Sequence, residues 1–403
     1  MPNIIFFDAE NLINQLKPFS FTRPICEFRV GIMTIKEKWE KIYNTKAWYQ
    51  TQFHLSGKFP CKIEAVNLII NGSILPDKAL SDRILHLPIH HALVQEDTLI
   101  ALKLDASSTR QYFGGQGLEQ YESAEWTEPI SQIQNIWEIF TKNEAEIKRD
   151  FETLCAGRIS QPLSETNRLL GNPELLFIEE GASVECSVLN TKTGPIYVGK
   201  DAEVLEGCML RGPLAMCEHS ATKMGTKIYG ATTLGPHCKV GGEINNSVMF
   251  GYSNKGHDGF LGNSVIGEWC NLGADTNNSN LKNNYGIVKI WNYDTENYEN
   301  TGLQFCGLFM GDHSKSGINT MFNTGTVVGV SANIYGAGFP EKFIPSFSWG
   351  GAEGMMTYRA EEAIDAAERM MKRRNIELTY EDEQILRTVF EADMDFRNWE
   401  EES

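Results

Sequence analysis

Between Val198 and Gly336 the apolar residues return at every sixth position. Val198, Val204, Leu210, Met216, Thr222, Ile228, Leu234 and Val240 keep that spacing, and all but Thr222 are apolar. Four residues after most of them stands a small side chain: Ala202, Cys208, Ser220, Thr226, Thr232 and Cys238. The count breaks and resumes as Phe260, Ile266 and Leu272. It breaks again and resumes as Met310, Ser316, Phe322, Val328 and Ile334. This period fits neither an amphipathic helix nor an alternating strand. It is the pattern of a hexapeptide β-helix, in which short parallel strands stack and bury one ladder of apolar side chains. The small residue turns inward near each corner, where a large one does not fit.

Outside the hexads the pattern changes. Residues 1–178 read as an α/β domain, with buried strands at Asn3–Phe7 and 65–70, a helix over 34–42 and a long helix over 136–154. Pro162, Gly171, Asn172 and Pro173 mark the boundary region. The β-helix is expected over 179–350, and 351–403 reads as two helices. The first of these carries Met356, Ala360, Ala363, Ile364, Ala367 and Met370 or Met371 on one face. The second opens on Thr379, with Asp382 placed to complete a cap.

Composition narrows the function. A net charge of −17 argues against nucleic acid and anionic membrane as partners, while leaving room for an anionic substrate at a local basic cluster. The short apolar run at 4–7 meets Asp8 at once, unlike a signal peptide, and no segment is long enough to span a bilayer. Nine cysteines without CxxC pairs suit reduced core residues of a cytoplasmic protein. His219, His237 and His313 lie in the hexad region, and no metal site is expected from their spacing.

Function in a repeat scaffold sits where the repeat is interrupted. The first break leads into His257-Asp258-Gly259-Phe260-Leu261-Gly262-Asn263-Ser264-Val265-Ile266-Gly267, and then Asn271-Leu272-Gly273-Ala274-Asp275-Thr276. This run resembles the acetyltransferase domain of the bifunctional UDP-N-acetylglucosamine pyrophosphorylase/glucosamine-1-phosphate N-acetyltransferase family. The likeness rests on His257, Leu261, Gly262, Ile266, Gly267, Asn271, Gly273, Ala274 and Thr276. The stretch Pro18-Phe19-Ser20-Phe21-Thr22-Arg23-Pro24 after the first strand, continuing to Arg29, resembles that family's nucleotidyltransferase domain.

The resemblance implies a left-handed β-helix and a homotrimer. It implies acetyl-CoA as co-substrate and an amino sugar phosphate, most simply glucosamine-1-phosphate, as acceptor. His257 becomes the general base, Asn271 the sugar-holding residue and the Ala274 N–H the oxyanion donor. Asn280 falls on a position that contacts acetyl-CoA. Departures matter too. Phe260 replaces the sugar-contacting tyrosine, and Asn245 replaces the phosphate-binding lysine, leaving Lys255, Arg211 or Lys289 for the phosphate. In the first domain the phosphate-cradling glycines are missing, Ile25 stands for a lysine and Ser73 for the metal-binding aspartate. Arg23 and Arg29 remain as phosphate ligands, with Mg²⁺ needed only if nucleotidyl transfer survives. The alternatives are a sugar-1-phosphate nucleotidyltransferase and a non-catalytic trimeric scaffold.

Overall fold

The computed structural model describes residues 2–400, so the first residue of the expected α/β domain and residues 401–403 of the expected tail lie outside it. The chain folds as two compact units. One comprises the segments up to Leu16, Thr22–Phe28 and Met33–Gln134. The other comprises Lys17–Phe21, Arg29–Ile32 and everything from Asn135 onward.

The first unit is built on a six-stranded mixed sheet. Asn3–Phe7 lies between Ala47–Gln50 and Val66–Asn71, parallel to both. Thr98–Asp105 continues the sheet antiparallel to Val66–Asn71, and His91–Gln95 and Glu122–Glu125 complete it. The helix Ile35–Tyr43 starts at Thr34 because a capping box closes there: the Thr34 side chain accepts from the Glu37 N–H, and Glu37 accepts from the Thr34 N–H. It ends where Asn44 turns left-handed.

The second unit is a parallel β-helix with three faces. The first face stacks nine strands, from Leu176–Ile178 to Phe343–Ile344. The second stacks parallel strands from Ser183–Val184 to Ser348–Gly351, and Gly354–Thr357 closes it antiparallel. The third runs from Arg168–Leu170 to Phe260–Gly262, followed by the separate pair Asn277–Asn278 and Met321–Phe322. One coil is three hexads, which is why Val198 pairs with Met216, Val204 with Thr222 and Leu210 with Ile228. All eight apolar-count residues from Val198 to Val240 are buried, and so are the small corner residues.

The period shortens after Val240, where Ile244 and Met249 are the next inward residues of the core. That changes the phase: Leu261, not Phe260, points inward, and Phe260 stands half-buried on the outside of the third face. The first face is covered externally as well. The helix Asn143–Cys155 lays Ile147 and Phe151 against Phe177, Tyr197, Ala215 and Cys217. It follows a short helix, Glu138–Thr141, so the expected single helix is broken at Lys142. Gly31 docks on the same face, donating to Asn143 Oδ1 at 2.7 Å and accepting from Thr233 Oγ1 at 3.0 Å.

The second interruption holds a hairpin, Lys289–Asn292 with Asn297–Asn300. Its aromatic residues pack within the chain: Trp291 stacks on Phe343 at 4.3 Å, and Tyr293 meets Phe343 and Phe396 edge-on. The tail is helical at Ala360–Lys372 and Tyr380–Ala392, the latter opened by a Thr379–Asp382 capping box. Met356 is not part of the first of these helices; it is exposed on the strand Gly354–Thr357. All nine cysteines are free thiols. No described helix is long and apolar enough to cross a membrane.

Candidate active site

Where each coil turns from its second face to its third, the corner residues of successive coils lie one above another. The pairing of Asn254 with Asn271 puts His257 and Ala274 at the same corner position in consecutive coils, about 4.8 Å apart along the stack. The two neighbouring positions, Asp258 and Asp275, are joined by an Asp275 N–H to Asp258 O bond of 3.0 Å. Together with Lys223, Met224, Gly241 and Gly242 these residues line one open cleft of about 570 Å³.

Each part of the cleft has a local cause. Gly242 has φ +76°, and a Cβ there would lie 2.7 Å from the Gly259 carbonyl oxygen, so only glycine brings the corner this close to the next coil. The His257 imidazole is exposed and makes no hydrogen bond to any described residue. The Ala274 carbonyl accepts from Asn319 at 2.9 Å, whereas the Ala274 N–H donates to no described group. A basic imidazole and a free N–H therefore share one cleft, the parts needed to take a proton and to stabilise a developing oxyanion.

The expected phosphate contact of Lys255 gives way to a structural role. Lys255 pairs with Val240, so it occupies an inward hexad position and is fully buried. Its stem runs inside the coil, and Nζ donates to the carbonyls of His257 at 2.9 Å, Asp258 at 3.1 Å and Gly241 at 3.4 Å. Burial pushes its pKa down to about 8, against the opposing pull of Asp258 and Asp275. The ammonium thus ties the corner that presents His257 from behind.

The other expected residues scatter. Asn271 is exposed on the second face, a rung between Asn254 and Lys315, and does not line the cleft. Phe260 starts a third-face strand, its N–H held by Asn277 Oδ1 at 2.8 Å. Asn280 donates to Asn263 Oδ1 at 2.8 Å. Arg211 is exposed on the third face, paired in register with Asn190, and Lys289 lies on the hairpin. Neither lines the cleft.

In the loop that resembles a nucleotidyltransferase, Arg23 and Arg29 are both buried. Arg29 is committed to the β-helix unit: Nε donates to Phe250 O at 3.2 Å and Nη1 to Ile32 O. Ser73 is buried in a neutral network, donating to Asn71 Oδ1 at 2.7 Å and accepting from Gln132 Nε2 at 2.9 Å. Asp8, where the family's glycine-rich loop begins, accepts from the Ile25 N–H at 2.8 Å and from Thr51 Oγ1 at 2.5 Å. Burial raises its pKa to about 6.

Two features have no sequence expectation behind them. Lys223 lines the cleft, and its signal was its place just after an inward Thr222 at the same corner. The second is a column at the opposite corner, between the first and second faces. His219, His237, Tyr252, Trp269 and His313 all take positive φ there, and their rings stack at 4.7, 4.8, 4.2 and 6.4 Å. Non-glycine residues rarely accept such a backbone, and mutual stacking offsets its cost. The histidines considered for metal are rungs of this column.

Comparison with known proteins matches part of the chain to a family. Residues 4–159 match the family described as sugar nucleotidyl transferase. The family-level resemblance holds. A bifunctional sugar-1-phosphate nucleotidylyltransferase/acetyltransferase of Sulfurisphaera tokodaii is 30% identical over 163 residues, covering 40% of this chain and 40% of that protein. The bifunctional protein GlmU of Methanocaldococcus jannaschii is 30% identical over 118 residues, covering 29% of this chain and 26% of its own length. The chain thus spans well under half of these relatives. A solved structure of the polySia-specific acetyltransferase NeuO matches 53% of this chain and 99% of its own length, at 14% identity and a TM-score of 0.27. The chain thus joins a domain matched over residues 4–159 by the sugar nucleotidyl transferase family to a parallel β-helix.

Proposed function

We propose that the chain catalyses acetyl-CoA-dependent N-acetylation of an amino sugar phosphate, most simply glucosamine-1-phosphate, on the cytoplasmic route to UDP-N-acetylglucosamine. The observation that carries this reading is the stacking of the His257 imidazole and the free Ala274 N–H in consecutive coils on one cleft. His257 takes the proton from the sugar ammonium, and the freed amine attacks the thioester carbonyl carbon. The carbonyl oxygen gains charge, which the Ala274 N–H stabilises. The C–S bond then breaks, the nitrogen gives up its second proton, which the departing CoA thiolate takes up, and the amide remains. Asn271 and Phe260 would meet the sugar and Asn280 the co-substrate in an assembled trimer. Exposed Met224 and Ile318 beside the cleft suit such a contact.

The test is acetyl transfer to glucosamine-1-phosphate by the wild type and by His257→Ala. The variant should keep its acetyl-CoA affinity while kcat falls by roughly 10²–10⁴, with part of the loss recovered at high pH. An unchanged rate in a folded variant removes the assignment.

A second reading is nucleotidyl transfer, favoured by the family match over residues 4–159. Against it stand the neutral Ser73 network, the engagement of Arg29 and the helix Glu10–Ile13 in place of a glycine-rich loop. Low or absent activity on UTP is expected. Robust magnesium-dependent pyrophosphate release from UTP and N-acetylglucosamine-1-phosphate would show the opposite. A folded trimer lacking both activities would be a scaffold.

A further inference from the structure

The outward positions of the second face form a ladder in which Lys239, Asn254, Asn271 and Lys315 are successive rungs. Lys239 pairs with Ala221 on its other side, and the chain runs from Ala221 directly to Lys223 at the lip of the His257 cleft. Over the same rungs lies the turn that follows the helix Ala360–Lys372. Arg374 from this turn donates through Nη2 to Asn254 Oδ1 at 3.1 Å. Three cations from three separate stretches of chain thus gather on this face, and Lys223 among them lines the cleft.

None of the three forms an ion pair among the described residues. On a protein with a net charge of −17, carboxylates are available in excess; the cleft itself carries Asp258 and Asp275 beside Lys223, yet neither forms an ion pair with any of the three. Their repulsion is felt within the cluster: burial, Arg374 and Lys223 hold the Lys239 ammonium below the ordinary lysine range, and only Glu203 opposes them. An arginine fork held by one side-chain amide keeps further N–H groups for an anion, and two lysines supply mobile point charges. A phosphate answers that arrangement.

We propose that Lys223, Lys239 and Arg374 form the phosphate anchor of the adjacent cleft, with the C-terminal helical segment contributing the arginine. The identity of the ligand rests on the acetyltransfer reading; the existence of an anion site does not. Two phosphates have the required chemistry, that of the amino sugar phosphate and those of acetyl-CoA. This places in the β-helix unit the role that Asn245 no longer fills and that buried Lys255 does not take.

The experiment uses the full chain as wild type, Lys223→Gln, Arg374→Gln and, as a control with the same loss of charge, Lys192→Gln on an exposed turn. Thermal unfolding establishes that each is folded. Inorganic phosphate is titrated calorimetrically. Phosphate affinity should fall about tenfold to a hundredfold in Lys223→Gln and Arg374→Gln, the worth of a charge-assisted hydrogen bond, and stay level in Lys192→Gln. Kinetics then separate the sources. A raised KM for glucosamine-1-phosphate, with that for glucosamine unaltered, assigns the sugar phosphate. A raised KM for acetyl-CoA, absent with acetyl-3′-dephospho-CoA, assigns the co-substrate. Failure of the wild type to bind phosphate, or equal binding by the variants, overturns the anchor. If the wild type transfers no acetyl group yet loses phosphate affinity on substitution, the acetyltransfer reading falls and the anion site stands.

Discussion

Replacing Lys255 by Met tests whether a charge inside the coil is held there at a cost. Met keeps the length of the stem and its fit in the inward column between Val240 and Leu272, but removes the ammonium. In the fold the lysine keeps its proton only up to a pKa of about 8, whereas unfolded it keeps it to the ordinary 10.5. Between those values the unfolded state binds more protons, so wild-type stability rises with pH across that window. Below pH 8 both states are protonated and the penalty is fully present; the whole difference amounts to about 3 kcal/mol. The three carbonyl bonds lost in the variant set a constant offset, and the pH dependence is independent of it. Guanidinium unfolding of both proteins at pH 7, 8, 9 and 10 gives the quantity needed. The stability of wild type relative to Lys255→Met should be level to pH 8 and then climb by roughly 2–3 kcal/mol toward pH 10. A flat difference over that range would refute the buried-ammonium account of the corner.

If Asn271 meets the sugar across a trimer junction as proposed, Asn271→Ala should raise KM for the sugar as well as lower kcat, in contrast to His257→Ala, because a positioning residue moves no proton. Steady-state kinetics on both substrates check this. Asp8→Asn removes a carboxyl whose folded pKa of about 6 lies above its unfolded 3.8. The wild type should lose stability as pH rises through that interval, so the variant should be more stable at pH 7 by up to about 3 kcal/mol, an advantage that disappears near pH 4. Chemical denaturation at the two pH values measures it. Light scattering at micromolar concentration should give the mass of a homotrimer, and a monomer there would leave the cleft without its second wall.

Much of the architecture was determined by the sequence alone. A six-residue apolar period has one economical solution, stacked three-sided coils, and the buried column from Val198 to Val240 follows from local spacing without reference to anything distant. The caps at Thr34 and Thr379 are equally local, since a side chain three residues away completes them. The motif also named His257 and Ala274, but they are 17 residues apart, one short of a regular coil, and only the pairing of Asn254 with Asn271 brings them to the same corner.

Tertiary structure alone decided the rest. When the period shortens after Val240, the phase of the ladder depends on which residues pair across coils. That choice turns Lys255 and Leu261 inward and Phe260 outward. Lys255 was one of three basic residues open as a phosphate ligand; pairing with Val240 commits it to the interior, where an ammonium must be met by carbonyls. Arg374 reaches Asn254 from 120 residues away, and the ring column from His219 to His313 crosses a 44-residue coil interval. The Trp291 and Tyr293 rings meet Phe343 and Phe396 of distant segments. Such contacts follow from how coils, hairpin and tail close on one another, and no local pattern encodes that closure.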